Sequence, residues 1–244
     1  MVGRASLMTA SLALLLGACA GPRLQPRVEM LERRPDQWSS TIAGEAVVTF
    51  CSPTLRVEVE ALFTHLRDLS RQGVAFAPGA RVPYRWTTLE VRQGPGRLEL
   101  WEPDYERDPE GAFTPGVDVS LRVAQEQQRV LQLAEVTGLD VQFDQHVLVA
   151  TESWRRDDLM LARVDSPGGR LTGWRIVPAN VEEGLGEVES VPLHEVYRRR
   201  PELLGAMRLP PGYLAFYEAG GIIAIVDPGD VLVWSAPTSD AAGP

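Results

Sequence analysis

The sequence predicts an α+β fold, antiparallel sheets with a few packing helices arranged as two subdomains. Three features carry that prediction: short β-type runs joined by glycine and proline turns, two long segments with helical apolar spacing, and helices set among hairpin-connected strands rather than in a regular βαβ alternation. No repeat at a fixed period is visible.

Residues 44–144 form the first expected unit. Glu45 to Cys51 is rich in Val, Thr and Phe and reads as a strand. Ser52-Pro53 then supplies a cap and a first-turn proline for a helix whose apolar face is Leu55, Val59, Leu62, Leu66 and Leu69, stopped at Gly73. His65 lies beside that face and is expected as a surface histidine. Thr87 to Gln93 and Arg97 to Trp101 flank Gly94-Pro95-Gly96 as a hairpin. The following stretch, Glu102 to Gly111, is expected to be a solvated or partner-facing acidic loop, since it lacks the turn glycine and distal glutamate of a calcium loop. A second helix is expected from Asp118 to about Thr137, before Gly138.

Residues 145–235 form the second unit. His146 to Ala150, Leu159 to Val164 and Gly173 to Val177 read as strands, and Leu193 to Leu204 as a helix broken at Pro201. Three strands close the unit, Tyr213 to Tyr217, Ile222 to Val226 and Val231 to Trp234, with turns at Gly220-Gly221 and Pro228-Gly229. Residues 236–244 are a small, polar tail.

The amino terminus has the form of a targeting segment. Met1 to Arg4 is a short positive region, and Leu7 to Leu16 is an apolar run of signal-peptide length, too short for a membrane span. It ends in Leu16-Gly17-Ala18-Cys19, which resembles a lipobox. Residues 1–18 are therefore expected to be a lipoprotein signal peptide, with Cys19 lipidated and residues 19–43, rich in proline and charge, serving as a tether. Alanine rather than aspartate at position 20 points to the outer membrane, facing the periplasm. With Cys19 acylated, Cys51 has no internal disulfide partner; a buried, inert thiol is expected, a reactive or intermolecular one being the alternative.

The net charge is −9, and all the basic residues are arginine, most of them beside Asp or Glu. Nucleic acid is not an expected partner. Catalytic patterns are missing. His194-Glu195 opens like a zinc-protease motif, but position 198 is arginine; no Gly-x-Ser-x-Gly elbow occurs; and the pairs Asp157-Asp158 and Glu182-Glu183 are adjacent, so on a strand they face opposite ways. An enzyme is not expected, nor a metal or cofactor. A binding protein is, with Trp86, Trp101, Trp154, Trp174 and Trp234 as candidate anchors, although each taken singly reads as core.

The second unit carries a recognisable string: Val147 to Val149, Leu159 to Arg163, Asp165-Ser166, Gly173-Trp174-Arg175-Ile176, Val191-Pro192-Leu193, Arg200 to Leu203, and Leu209 to Tyr217. Over residues 145–227 it resembles immunity family thirty-three of the bacterial polymorphic-toxin systems, formerly a domain of unknown function. The family's Asp-Ser-Gly-Trp-Arg string is split here by Pro167 to Thr172, and Pro178-Ala179-Asn180 stands where its glycine and acidic pair would be. The resemblance implies a protein that binds and occludes a protein toxin, without catalysis. It points to Asp165, Trp174, Arg175, Glu182, Glu183, Glu187 and Glu189 as the partner-binding candidates, negative potential steering a basic partner. Membrane contact is expected through the lipid alone. The alternatives are an envelope lipoprotein that binds another partner in assembly or stress response and, behind it, a wall or lipid hydrolase.

Overall fold

In a computed structural model of the chain, the residues described are 36–166, 168–180 and 186–237. Cys19, the expected signal peptide, Glu182, Glu183 and most of the expected tail lie outside them.

The chain opens with β1 (Asp36–Ile42) and β2 (Glu45–Cys51), an antiparallel hairpin. Its two-residue turn, Ala43-Gly44, has φ of 52° and 85°, the paired left-handed conformation that joins tightly twisted strands. β1 thus lies inside residues 19–43, the stretch expected as tether, and ordered structure is present ahead of Gly44. A short 3-10 turn capped by Ser52 leads into α1 (Arg56–Arg71), which buries Val59, Leu62 and Leu66 of the expected face together with Phe63, while Leu69 is half-buried. β3 (Arg81–Tyr84), β4 (Thr87–Gly94), β5 (Arg97–Asp104) and β6 (Asp108–Pro115) complete a sheet of order β1-β2-β5-β4-β3, with β6 also paired to β5.

The second sheet is built from β7 (His146–Ala150), β8 (Leu159–Arg163), β9 (Leu171–Pro178), β10 (Val188–Pro192), β11 (Leu214–Glu218), β12 (Gly221–Val226) and β13 (Leu232–Ser235), in the order β10-β7-β9-β8-β11-β12-β13. Only β2 with β5 and β7 with β9 run parallel. Helix α2 (Asp118–Leu133) comes between the sheets in sequence; α3 (Leu193–Arg199) and a 3-10 segment, Pro201–Arg208, follow β10, with the break at Pro201 that the sequence predicts.

The described residues belong to one compact unit. α2 explains why: Leu121 and Ala124 enter the core of the first sheet, while Val123, Val130 and Leu131 enter that of the second. An aromatic cluster adds to the joint. Trp86 stacks on Tyr105 at 4.9 Å, and Tyr105 meets Tyr197 at 5.5 Å and Phe143 at 6.1 Å.

This joint overturns one expectation. Glu102 to Gly111 is not an acidic loop but the end of β5, a tight tip and the start of β6. Tyr105 is buried, and Arg198 of α3 donates hydrogen bonds to the carbonyls of Tyr105 at 2.7 Å and Arg107 at 2.9 Å. Glu102 is 4% exposed and accepts the amides of Val119 at 3.2 Å and Ser120 at 2.7 Å, satisfying two donors that the first turn of α2 leaves open.

Burial pushes the Glu102 carboxyl up to about 7, against the pull of those donors. The native state therefore holds a proton that the unfolded chain, near the ordinary 4.5, has already released. The stabilisation from this proton is full below about 4.5 and is lost as pH rises through about 7. Glu102→Gln should flatten that window: the stability difference between wild type and variant, from thermal or urea unfolding, should shift against wild type by about 3 kcal/mol between pH 4.5 and 7.5. A difference that stays constant with pH would contradict the assignment.

Candidate protein-binding interface

The second sheet has two unlike faces, set by the alternation of side chains along its strands. One face is core: Val147 and Val149 of β7, Leu159 and Leu161 of β8, Trp174 and Ile176 of β9, Ala215 and Tyr217 of β11 are all buried. Helix α2, α3 and the Pro201–Arg208 segment supply the residues packed against them, among them Val130, Val196, Leu203 and Met207.

The register places a different set on the opposite face. Leu148 pairs with Arg175, Arg175 with Ala162, Ala162 with Leu214, Met160 with Phe216, Phe216 with Ala224 and Leu214 with Val226. Of these, Leu148, Met160, Ala162, Leu214, Phe216, Ala224 and Val226 are half-buried, and Arg175 is exposed. An antiparallel sheet with one solvated face ordinarily turns polar residues outward. Here the outward face is mostly aliphatic and aromatic, with Arg175, His146 and Ser190 as its polar members, a composition suited to a surface that meets another protein.

At one margin of this face a cleft of about 160 Å³ opens between the ends of β7, β8 and β9, bordered by His146, Leu148, Asp165 and Arg175. Small-molecule sites run to about 300–1,000 Å³. This cleft is sized for one inserted side chain. Its floor is set by Gly173, at φ 83°: a Cβ there would lie 2.1 Å from the Val164 carbonyl oxygen, so only glycine lets the two strands approach.

The sequence-derived site residues are thereby divided. Asp165 and Arg175 come together at the cleft and are exposed. Trp174 is not at the surface. It is 1% exposed, and its indole donates to the Met207 carbonyl at 3.0 Å, so it is core and cannot anchor a partner. The reason is register: Trp174 and Arg175 are neighbours on a strand and must face opposite ways. Glu189 is half-buried, accepts the Trp154 indole N–H and lies 3.7 Å from Arg199. Glu187 has an exposed side chain, and its carbonyl accepts the Thr151 amide at 2.9 Å. The outward row of Leu148, Met160, Leu214 and Phe216 escaped sequence reading, although its signal, apolar residues at alternate positions of several strands, was present.

Beneath the face sits Arg163, 4% exposed, donating through Nη1 to the carbonyls of Leu209 at 2.6 Å and Leu139 at 3.1 Å, with its guanidinium 5.7 Å from the centre of the Trp174 ring. Burial draws its pKa down to about 10. Cys51, in the other sheet, is fully buried and its thiol is pushed up to about 12, the state of an inert packing residue.

Comparison with known families finds a match on this segment. Residues 126–228 match the Imm33-like domain. The match begins within α2 and runs to just past β12, so the residues of the outward face named above and both sides of the cleft lie inside the matched residues. The match suggests an immunity-protein-like family, in agreement with the resemblance seen in the sequence. The first sheet and β13 lie outside the matched residues. No curated protein and no solved structure matches the chain.

Proposed function

We propose that this protein is an envelope-anchored immunity protein that binds and neutralises a protein toxin, docking it on the outward face of the second sheet. The observation that carries the reading is that the Imm33-like domain presents an apolar sheet face, centred on Met160 and Phe216, with Arg175 and the adjoining cleft to orient what binds there. Occlusion explains how such a surface acts without catalysis. A toxin side chain entering the cleft between Asp165 and Arg175 would fix the pose, the aliphatic rows would supply most of the affinity, and the net charge of −9 would speed encounter with a basic partner.

Localisation rests on the amino-terminal sequence, in which Cys19 follows Leu16-Gly17-Ala18. A lipid anchor at the envelope restricts the toxin to one that acts on wall or membrane, or is met in transit. Deleting the gene should sensitise cells to an effector released by the same strain or its kin, and the intact gene should restore protection. Cys19→Ala should release the protein from membranes. Unchanged sensitivity to every effector encoded beside the gene would remove the toxin-binding reading, and a membrane-bound Cys19→Ala variant would remove the anchor.

A further inference from the structure

The cleft at the margin of the second sheet is selective in its chemistry as well as its size. Its walls are apolar: Leu148 is half-buried, and Val164 and Leu171 are 38% and 42% exposed, so aliphatic surface is left open to water. Two charged side chains border it, Arg175 on β9 and Asp165 just past the end of β8. They are set apart along the strands. Arg175 pairs in register with Ala162, and Asp165 lies three residues farther on. Among the described residues neither has an ion pair or a side-chain hydrogen bond, in contrast to Arg156, Arg198, Arg199 and Arg200 of the same unit, each of which is ion-paired.

The cleft is also held in shape. Ser166 Oγ donates to the Leu171 carbonyl at 2.7 Å, Gln145 Nε2 donates to the Gly169 carbonyl at 3.1 Å, and the Val164 amide donates to the Gly173 carbonyl at 3.0 Å, tying the connection from β8 to β9 onto the sheet. His146, which also borders the cleft, shares its Nδ1 with Ser190 Oγ at 3.1 Å. A preformed pocket lowers the ordering cost of filling it.

Charge decides among side chains of fitting size. A carboxylate entering the cleft meets Asp165, and an ammonium or guanidinium meets Arg175. A purely aliphatic side chain strips water from both charges and returns no hydrogen bond. A phenol suits every feature: its ring packs on Leu148, Val164 and Leu171, its π face takes the Arg175 guanidinium, and its hydroxyl donates to Asp165. We propose that the cleft is a socket for one tyrosine side chain of the protein partner. The proposal rests on the outward face being the docking surface, and it names the side chain that the partner must present there.

The test uses small probes on the purified full-length protein: N-acetyl-tyrosinamide and its phenylalanine, leucine, lysine and glutamate analogues, followed through the amide resonance of Gly173 at the floor of the cleft. The tyrosine probe should bind about fivefold or more tighter than the phenylalanine probe, the gain expected from one hydrogen bond to a carboxylate, and tighter than the other three. Two variants at exposed side chains, which leave the core in place, separate the contacts. Asp165→Ala should bring the tyrosine and phenylalanine probes to equal affinity, whereas Arg175→Ala should weaken both by about threefold or more. The proposal is overturned if the tyrosine probe shows no saturable binding, if any other probe binds as tightly, if Asp165→Ala leaves the tyrosine preference intact, or if Arg175→Ala binds both aromatic probes as wild type does. Protection keeps this test apart from the toxin-binding reading. A tyrosine probe that fails, while deleting the gene sensitises cells, strikes the socket alone; a probe that binds as stated, while deletion changes nothing, strikes the toxin-binding reading alone.

Discussion

Trp174→Ala should lower stability by about 3–5 kcal/mol, the range for truncating a large buried aromatic. Trp174 is among the largest fully buried side chains, packed in the core between the second sheet and the Pro201–Arg208 segment. The substitution removes its contacts and leaves the Met207 carbonyl without the indole donor now 3.0 Å away. For a chain of this length a loss of that size lowers the melting temperature by roughly 10 °C or more. Trp174→Phe keeps most of the volume and loses the donor, so it should cost about 1–2 kcal/mol. If Trp174 were an interface residue instead, alanine would weaken partner binding and leave the melting temperature nearly unchanged.

Arg163→Leu should cost a similar amount, about 3–5 kcal/mol, for a different reason. Its guanidinium is buried with no carboxylate against it among the described residues, and carbonyls of Leu209 and Leu139 compensate the charge. Leucine fills much of the space but leaves both carbonyls facing an apolar side chain. The two substitutions should not add. Arg163 and Trp174 are paired across β8 and β9, and both hang on carbonyls at the end of the Pro201–Arg208 segment, so the first loss loosens what the second would have broken. Urea unfolding of the two single variants and the double variant measures this coupling; full additivity would show that the two side chains support different parts of the core.

What could be read from the sequence, and what could not, divides along the sheets. α1 was legible because its core is a single stripe, and the β4 to β5 hairpin because Gly94-Pro95-Gly96 separates two clear runs. The elements that sequence reading passed over are β1, β3, β6 and β10. Each lies at a margin of its sheet. A strand with one paired edge can carry proline and charge, and these do: Pro83 in β3, Pro109 and Pro115 in β6, Pro192 in β10, and Asp36 and Gln37 in β1. Those same residues erase the pattern by which a strand is recognised.

The candidate site failed in part for a related reason. Asp165 and Arg175, two of the partner-binding candidates, lie exposed together at the cleft, whereas Trp174, a third, neighbours Arg175 on a strand and so faces the other way, into the core. Glu102 was grouped with a run of acids because composition cannot show that a helix N-terminus waits above one of them. The outward apolar row needs the register of five strands before it becomes a surface at all.

Phe216 sits in the middle of that row, half-exposed, between Met160 of β8 and Ala224 of β12. Phe216→Asp puts a charge where the partner's apolar surface must come to rest, while the core on the other side of the sheet is left in place. The direct measurement is protection: a strain lacking the gene is challenged with the toxin-bearing kin strain while carrying either the wild-type gene or Phe216→Asp. The variant should fold, reach the membrane at the wild-type level and fail to protect. Protection by Phe216→Asp equal to wild type would contradict docking of a toxin on the outward face of the second sheet.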